Sequence, residues 1–310
     1  MRHPAAIALL AAAVLATSPA MADVRASFLY PLSDMAGQVQ LGWTSMVWDP
    51  TGAELYVVDD HNGVVDVFND NGVIVYSFGD TGFGGVRSVA VRDDGSPLVL
   101  AYGPDGYSIV RCNFRGEPLD RVELRNLPPN LGPGAFHPDG IFLAGGSFYL
   151  ADKGSLTVAI FALDGSFRKS LDLARLIEVP ERERGQVLIR ALTVDRAGSI
   201  YFTVAELFRA FIVSPDGDVR SFGGKGSVPG KFNVAGGIAT DEEGHVFVAD
   251  TLRCAVMVFN RQDLAFLGEF GSRGRLPRNL INPLDIAVGN GRVFVTQSTG
   301  AVKVFGVLFE

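Results

Sequence analysis

One strand-like pattern recurs six times along the chain and restricts the folds that this sequence can adopt. In each copy a short apolar run ends at an apolar residue that we call the closing residue. Gly or Asp follows four positions later in all copies but the last. The closing residues are Phe68, Cys112, Phe161, Val213, Phe259 and Phe305. They are separated by 44, 49, 52, 46 and 46 positions. A period of this size predicts one supersecondary unit repeated six times, rather than two unrelated domains.

Each unit contains further strand-length runs that are rich in β-branched and aromatic residues and bounded by Gly, Asp or Asn. Second strands precede the closing ones, most clearly at 55–59 and 246–250. Earlier strands are visible at 89–91, 192–194 and 238–240, and outer strands at 74–78, 219–222 and 264–270. Six units of four antiparallel strands predict an all-β, six-bladed β-propeller, in which radial repetition protects the sheet edges. A β-sandwich or an open solenoid is the alternative.

The two ends of the sequence suggest how such a ring closes. The chain ends at Glu310, too soon after Phe305 for a turn and a full outer strand. The segment 26–30, in contrast, has the pattern of a strand but belongs to no unit. We therefore predict that this N-terminal strand pairs beside the last blade.

The first 22 residues have the features of a secretory signal. Arg2 supplies a positive start, residues 5–16 form an apolar run, and Ala20-Met21-Ala22 resembles a cleavage site. The run is shorter than the roughly 18 apolar residues expected of a transmembrane helix. We expect an exported protein, periplasmic or secreted, with 23–310 as a single domain and no membrane insertion. Its net charge of −7, or −8 without Arg2, disfavours nucleic acid as a partner.

Two linker regions carry a more specific resemblance. The segment FGGKGSVPGKF at 222–232, followed by GIA at 237–239 and VAD at 248–250, resembles an NHL repeat. FGSRG at 270–274 and NPLDIAV at 282–288 are similar to the start of the next copy. The resemblance extends over residues 40–310 and implies a propeller of NHL type. Site chemistry varies freely on such scaffolds, so the resemblance implies no particular reaction.

The predicted topology places the loops between second and third strands on the same face as the linkers between blades. That face collects basic residues of an otherwise acidic protein: Lys225, Lys231, Arg253, Arg273, Arg275 and Arg278. Arginine binds carboxylate or phosphate groups in a bidentate manner. The cluster predicts a positive patch for a protein or peptide partner, with ordinary solvated loop charge as the alternative.

A second candidate site is the central channel. Residues at which innermost strands begin can point into it, and these include Arg87, Asp139, Arg190 and Asp285. Their opposite charges either pair with one another or hold a small polar or anionic ligand at the channel mouth.

The usual catalytic constellations are not recognisable in the sequence. No Gly-x-Ser-x-Gly elbow is present, and neither cysteine has an adjacent histidine. His61 and His137 are the histidines that could converge on the channel. To share a metal ion, both side chains would have to extend over the channel. Propeller lyases of related repeat type place several histidines there, and this sequence lacks that set. No catalytic residue, metal or cofactor is therefore assigned.

The remaining polar and sulfur-containing candidates are expected to have structural roles. Asp59, Asp152 and Asp250 occupy equivalent strand ends, where a carboxylate accepts hydrogen bonds from turn N–H groups. Cys112 fills a core slot, and Cys254 lies three blades away, so we predict no disulfide.

These observations favour a non-enzymatic propeller that binds an unknown protein or peptide through one loop face. The alternative is a metal-assisted lyase or lactone hydrolase that acts on a small polar substrate at the channel mouth.

Overall fold

The protein contains six four-stranded antiparallel sheets and one two-stranded sheet in a computed structural model that describes residues 24–34, 37–38, 42–59, 61–79, 81–132 and 134–310. The predicted all-β six-bladed propeller with four strands per blade is confirmed. The predicted signal peptide, residues 1–22, lies outside the described residues. Within the described part of the chain, no helix has the length and apolarity that a membrane crossing requires.

The strands before blade 1 are β1 (Val24–Pro31), β2 (Ser33–Asp34) and β3 (Gly37–Gln38). Blades 1 and 2 consist of β4 (Trp43–Asp49), β5 (Glu54–Asp59), β6 (Val64–Phe68) and β7 (Ile74–Phe78), then β8 (Gly85–Val91), β9 (Pro97–Gly103), β10 (Gly106–Cys112) and β11 (Pro118–Arg121). Blades 3 and 4 consist of β12 (Gly140–Ala144), β13 (Ser147–Asp152), β14 (Thr157–Ala162) and β15 (Phe167–Asp172), then β16 (Ile189–Val194), β17 (Ile200–Val204), β18 (Arg209–Val213) and β19 (Val219–Gly223). Blade 5 consists of β20 (Ala235–Thr240), β21 (His245–Asp250), β22 (Ala255–Asn260) and β23 (Phe266–Phe270), and blade 6 contains β24 (Pro283–Gly289), β25 (Arg292–Gln297) and β26 (Val302–Phe309).

The N-terminal strand supplies the fourth strand of blade 6, as predicted. β1 pairs antiparallel with β26 from Val24 opposite Phe309 to Pro31 opposite Lys303. Phe28 of β1 packs edge-to-face on Phe305, with ring centroids 6.0 Å apart. The last blade therefore joins strands from both ends of the described chain, and this pairing closes the ring.

The core lies between adjacent blades, because each middle strand is covered on both of its faces. All six residues of β13 are buried, and the closing residues that define the repeat, from Phe68 to Phe305, are at most 2% exposed. Phe148 of β13 stacks on Phe161 of β14 within this packing, with ring centroids 5.1 Å apart. Both cysteines are buried free thiols. Burial raises the pKa of the Cys112 thiol to about 12, consistent with the core role expected for it.

Regular helix is confined to the segments between strands. α1 (Leu173–Leu176) follows blade 3, and the Asp172 side chain accepts a hydrogen bond from the Arg175 N–H at its N-terminus. Short 3₁₀ turns occur at Pro129–Leu131, Glu181–Gln186 and Ala205–Leu207. Pro180 follows α1 and immediately precedes the second of these 3₁₀ turns.

Candidate functional site

Hydrogen bonds tie the interblade linkers to the loops between second and third strands at one end of the ring, which we call the loop face. The Asp250 carboxylate accepts bonds from the N–H groups of Asn233, Val234 and Arg253, at 2.6, 3.2 and 3.0 Å. Asp152 binds the N–H groups of 137 and 155, Asp59 those of 61 and 62, and Gln297 Oε1 that of 281. These strand-end side chains are structural acceptors, as the turn chemistry predicts, and they hold the loop face rigid.

The channel opens at this face through a cavity of about 330 Å³. Inner strands of all six blades contribute to its wall, together with Lys153 and Thr251 from second-to-third-strand loops. The charged lining residues are Asp139, Lys153, Arg190 and Asp285. Three of the four residues predicted for the channel therefore meet there, and Lys153 joins them from the loop between the second and third strands of blade 3.

Backbone irregularities occur near the starts of the inner strands, at the positions of two of these charged residues. Strand register shifts between Ile189 and Ala191 in β16, and between Pro283 and Ile286 in β24. Arg190 and Asp285 thus lie at bulges, where an extra residue bends the strand and redirects its side chain. β4, β8 and β20 have similar irregularities near their starts.

Arg87 does not line the cavity, contrary to its assignment to the channel. It lies in β8 at the irregularity between Val86 and Ser88, and it is exposed. Its positive charge acts instead on Tyr102 of the neighbouring strand, where it offsets part of the rise in pKa that burial causes. Arg87 lies near the start of an inner strand, as the sequence indicated, but it is not among the residues that line the cavity.

Two of the four channel charges interact with each other. Lys153 Nζ lies 3.6 Å from Asp139 Oδ2, an ion pair between blade 3 residues. Burial raises the pKa of Asp139, and Lys153 offsets part of that rise. The other oxygen, Asp139 Oδ1, is buried and accepts no hydrogen bond from the described residues.

Asp285 and Arg190 do not form such a pair. Burial raises the pKa of Asp285 to about 6, offset in part by the Ile286 N–H and by Lys153 across the ring, but not by Arg190. Within the described residues, the structure gives Arg190 no hydrogen bond or ion pair, and its side chain is exposed to the channel. Arg190 and Asp285 therefore do not form the mutual pair that was the expected alternative, and Asp139 pairs with Lys153, which was not predicted for the channel.

Half of the predicted basic cluster is engaged in hydrogen bonds within the protein. Arg253 donates to Ser227 O at 2.5 Å and to Glu269 Oε1 at 2.8 Å. Lys231 Nζ donates to Gly223 O at 2.7 Å, and Arg273 Nη2 to Leu252 O at 3.0 Å. These contacts fix neighbouring loops and leave less charge available to a partner than the sequence suggests.

The rest of the cluster is more accessible. Lys225 Nζ lies 5.2 Å from the centre of the Phe208 ring in a cation–π contact. Arg275 and Arg278 are exposed, and neither has a hydrogen bond or ion pair to any residue that the structure describes. The free positive charge of the loop face over blades 5 and 6 is therefore concentrated in the linker between those blades.

Exposed apolar side chains lie on the same loop face as these arginines, a feature that the sequence interpretation missed. Val228 is 61% exposed, Leu252 54% and Leu276 60%, all in loops of blades 4 to 6. We call the following set the loop arc: Leu188, Leu207, Val228, Leu252, Leu276, Leu284, Arg275 and Arg278. A leucine within a charged loop, as in the sequence Arg-Leu-Pro at 275–277, was the available signal.

Lys303 at the start of β26 holds the central part of the loop arc. Its Nζ donates to the carbonyl oxygens of Leu276, Pro277 and Asn279, at 3.0, 3.2 and 2.7 Å. All three ammonium donors are thus used, and burial lowers the pKa of Lys303. The Lys303 side chain therefore fixes the linker that carries Arg275, Leu276 and Arg278.

The histidines do not assemble a metal centre at the channel. His61 and His137 are exposed, and each donates its backbone N–H to a strand-end aspartate. Among the described residues, the metal-compatible group of three is Asp241, Glu243 and His245, in the turn between β20 and β21 at the opposite end of the blade. There Asp241 Oδ2 lies 2.6 Å from His245 Nδ1, so these two side chains already bind each other.

No family model matches the chain, and no curated protein matches it. Among solved structures, the fold is similar to a catalytically inactive histidine-to-alanine variant of virginiamycin B lyase from Staphylococcus aureus with quinupristin, at 10% identity over 86% of this chain and 80% of that chain, with a TM-score of 0.56. It is similar to a streptogramin B lyase at 11% identity, over 94% of this chain and 100% of that chain, with a TM-score of 0.58. A Bacteroides thetaiotaomicron protein of unknown function shares 15% identity, over 93% and 76% of the two chains, with a TM-score of 0.61. At these identities the similarity shows the β-propeller fold alone.

Proposed function

We propose that this protein is an exported, NHL-type β-propeller that recognises a partner protein by binding an acidic, leucine-containing segment of that partner at the loop arc. The observation that carries the proposal is the coincidence of exposed leucines with two unpaired arginines on rigid loops. The predicted signal peptide would place the encounter in the periplasm or outside the cell.

Rigid presentation supports recognition by this surface. Arg253 connects its loop to Ser227, next to Val228, and Arg273 connects the following linker to the Leu252 carbonyl. Thr251 Oγ1 donates to Pro283 O at 2.8 Å, beside Leu284. Loops that are already ordered lose little conformational freedom on binding, so more of the contact energy contributes to affinity.

Charge complementarity determines the expected chemistry of the partner. The whole chain is acidic, with a net charge of −7, whereas Arg275 and Arg278 present positive charge at the arc. An acidic segment is attracted to these arginines, and its leucines can cover the exposed leucines of the arc. A basic or wholly polar segment satisfies only part of this surface.

The test uses two fluorescent 12-residue peptides, one alternating Glu and Leu and one alternating Lys and Leu. Fluorescence anisotropy should show tighter binding of the Glu–Leu peptide, by at least about tenfold at low salt. The double variant Arg275→Glu and Arg278→Glu should remove that preference. Leu252→Ser with Leu276→Ser should weaken binding at any salt concentration. Arg115→Glu, in an exposed turn of blade 2, is the matched control and should have no effect.

Equal binding of both peptides, absence of binding by either, or unchanged Glu–Leu affinity in the double charge-reversal variant would each refute the proposed surface. The circular dichroism spectrum and thermal midpoint of every variant establish that the propeller is intact.

A further inference from the structure

The channel cavity contains two opposite charges, neither of which forms an ion pair with a described residue. Arg190 and Asp285 line the same space of about 330 Å³. Arg190 has no hydrogen bond or ion pair to any described residue, and the groups that offset the raised pKa of Asp285 do not include Arg190. The two charges are therefore not neutralised by each other.

Several other polar side chains of the wall are already engaged, although Asp139 Oδ1 is not. Lys153 pairs with Asp139 at 3.6 Å. Thr251 Oγ1 donates to Pro283 O, and the Ser88 hydroxyl contacts Ser45 Oγ at 3.3 Å and accepts from the Ile141 N–H at 3.2 Å. The cavity therefore still offers a ligand the Arg190 guanidinium, the Asp285 carboxylate and the unbonded Asp139 Oδ1.

A single charge on the ligand would satisfy only half of this site. A simple anion bound at Arg190 would leave the Asp285 carboxylate uncompensated in a partly desolvated cavity, and a simple cation at Asp285 would leave Arg190 unpaired. Leaving a charged group desolvated without a partner is costly. A ligand with both charges removes both penalties.

We propose that the channel mouth binds a small zwitterion, whose carboxylate is held by Arg190 and whose ammonium group is held by Asp285. The guanidinium provides two parallel N–H donors for a carboxylate. The cavity volume lies at the lower end of the range for small-molecule sites. It suits an amino acid or a very short peptide, and Leu284 is the one residue of the loop arc that also lines this cavity.

The protonation of Asp285 gives the site a defined pH dependence. Below a pH of about 6 this carboxyl gains a proton and no longer attracts the ammonium group. Zwitterion affinity should therefore fall as the pH drops from about 7.5 to about 5.

The experiment is isothermal titration calorimetry of the full mature protein with β-alanine, 4-aminobutyrate, 5-aminopentanoate and glycylglycine. The matched probes with one charge are butyrate and butylamine. At least one zwitterion should bind about tenfold or more tightly than either singly charged probe. The length series also reports the separation of the two charges, because affinity is highest when the ligand spans it.

Variants assign the two ends of the ligand. Arg190→Gln and Asp285→Asn should each lower the zwitterion affinity by about tenfold or more, which corresponds to the loss of one charged contact. Arg115→Gln is the control for loss of an exposed arginine. The Arg275→Glu and Arg278→Glu variant should bind the zwitterion normally, which separates this inference from the proposed partner surface.

Three results would overturn the proposal. Butyrate binding as tightly as 4-aminobutyrate, with no effect of Asp285→Asn, would indicate a plain anion site. Butylamine binding as tightly, with no effect of Arg190→Gln, would indicate a plain cation site. No heat with any zwitterion up to about 10 mM, a concentration that detects even millimolar dissociation constants, would exclude the ligand class.

Discussion

Replacement of Asp285 by Asn should stabilise the folded protein at neutral pH. The carboxyl has a pKa of 3.8 in an unstructured chain, and burial in the channel raises it to about 6. Ionised Asp285 therefore opposes folding above this pH, because the unfolded chain holds the charge more easily. Asn has nearly the same shape and carries no charge, so the variant removes this penalty.

The size of the effect follows from the two pKa values. A tenfold change in proton affinity corresponds to ~1.4 kcal/mol, so the ionised carboxyl costs about 3 kcal/mol at a pH of about 7.5. Water in the channel screens part of that cost, and we expect a gain of about 1.5–3 kcal/mol. The folded state binds more protons than the unfolded state between 3.8 and about 6. The gain should therefore shrink to about half at a pH of about 5 and vanish below the unfolded pKa.

Urea unfolding of both proteins at a pH of about 7.5 and of about 5 measures this difference in the free energy of unfolding. Asp216→Asn, in an exposed turn of blade 4, is the control for a generic Asp-to-Asn change. The reasoning is wrong if Asp285→Asn is neutral or destabilising at the higher pH, or if its gain does not decrease on acidification.

Three further predictions concern the ring and the loop arc. Deletion of residues 23–33 should lower the thermal midpoint sharply, because blade 6 loses β1 and the strand pairing that closes the ring; an unchanged midpoint would contradict this closure. Lys303→Met should lower the free energy of unfolding by about 1–3 kcal/mol, since three carbonyl groups lose their donor, and should weaken Glu–Leu peptide binding; unchanged peptide affinity would show that this anchor does not position the arc. Gly289→Ala should destabilise the protein by about 1–3 kcal/mol because the added carbon overlaps the Trp48 ring, whereas Gly185→Ala meets open space and serves as the control in urea unfolding.

The repeat spacing was sufficient to predict the number of blades, because the closing residues of the third strands are buried and must be apolar. The outer strands were harder to recognise. β11 is exposed at all four of its residues, and β15 contains Arg168, Lys169 and Ser170 on its exposed part. A strand without a fully buried face has no strong apolar alternation, so its sequence pattern does not predict a strand.

The candidate site was predictable in position but not in detail. Arg190 and Asp285 were assigned to the channel because they start inner strands, and the structure places them there. Arg87 satisfied the same rule but does not line the cavity, since the placement of a side chain at a backbone irregularity depends on local geometry. Whether loop charges such as Arg253 and Arg273 are free depends on which carbonyl groups the folded loops bring near, and one-dimensional spacing does not contain that information.

The central functional claim is that the loops of blades 4 to 6 form the recognition surface. Hydrogen–deuterium exchange of the mature protein, with and without a saturating Glu–Leu peptide, locates the bound segment directly. We predict slower exchange at residues 226–230, 251–254 and 273–280, with no change in the loops of blades 1 and 2. Protection confined to blades 1 and 2, or to the opposite end of the ring near 241–245, would contradict the claim.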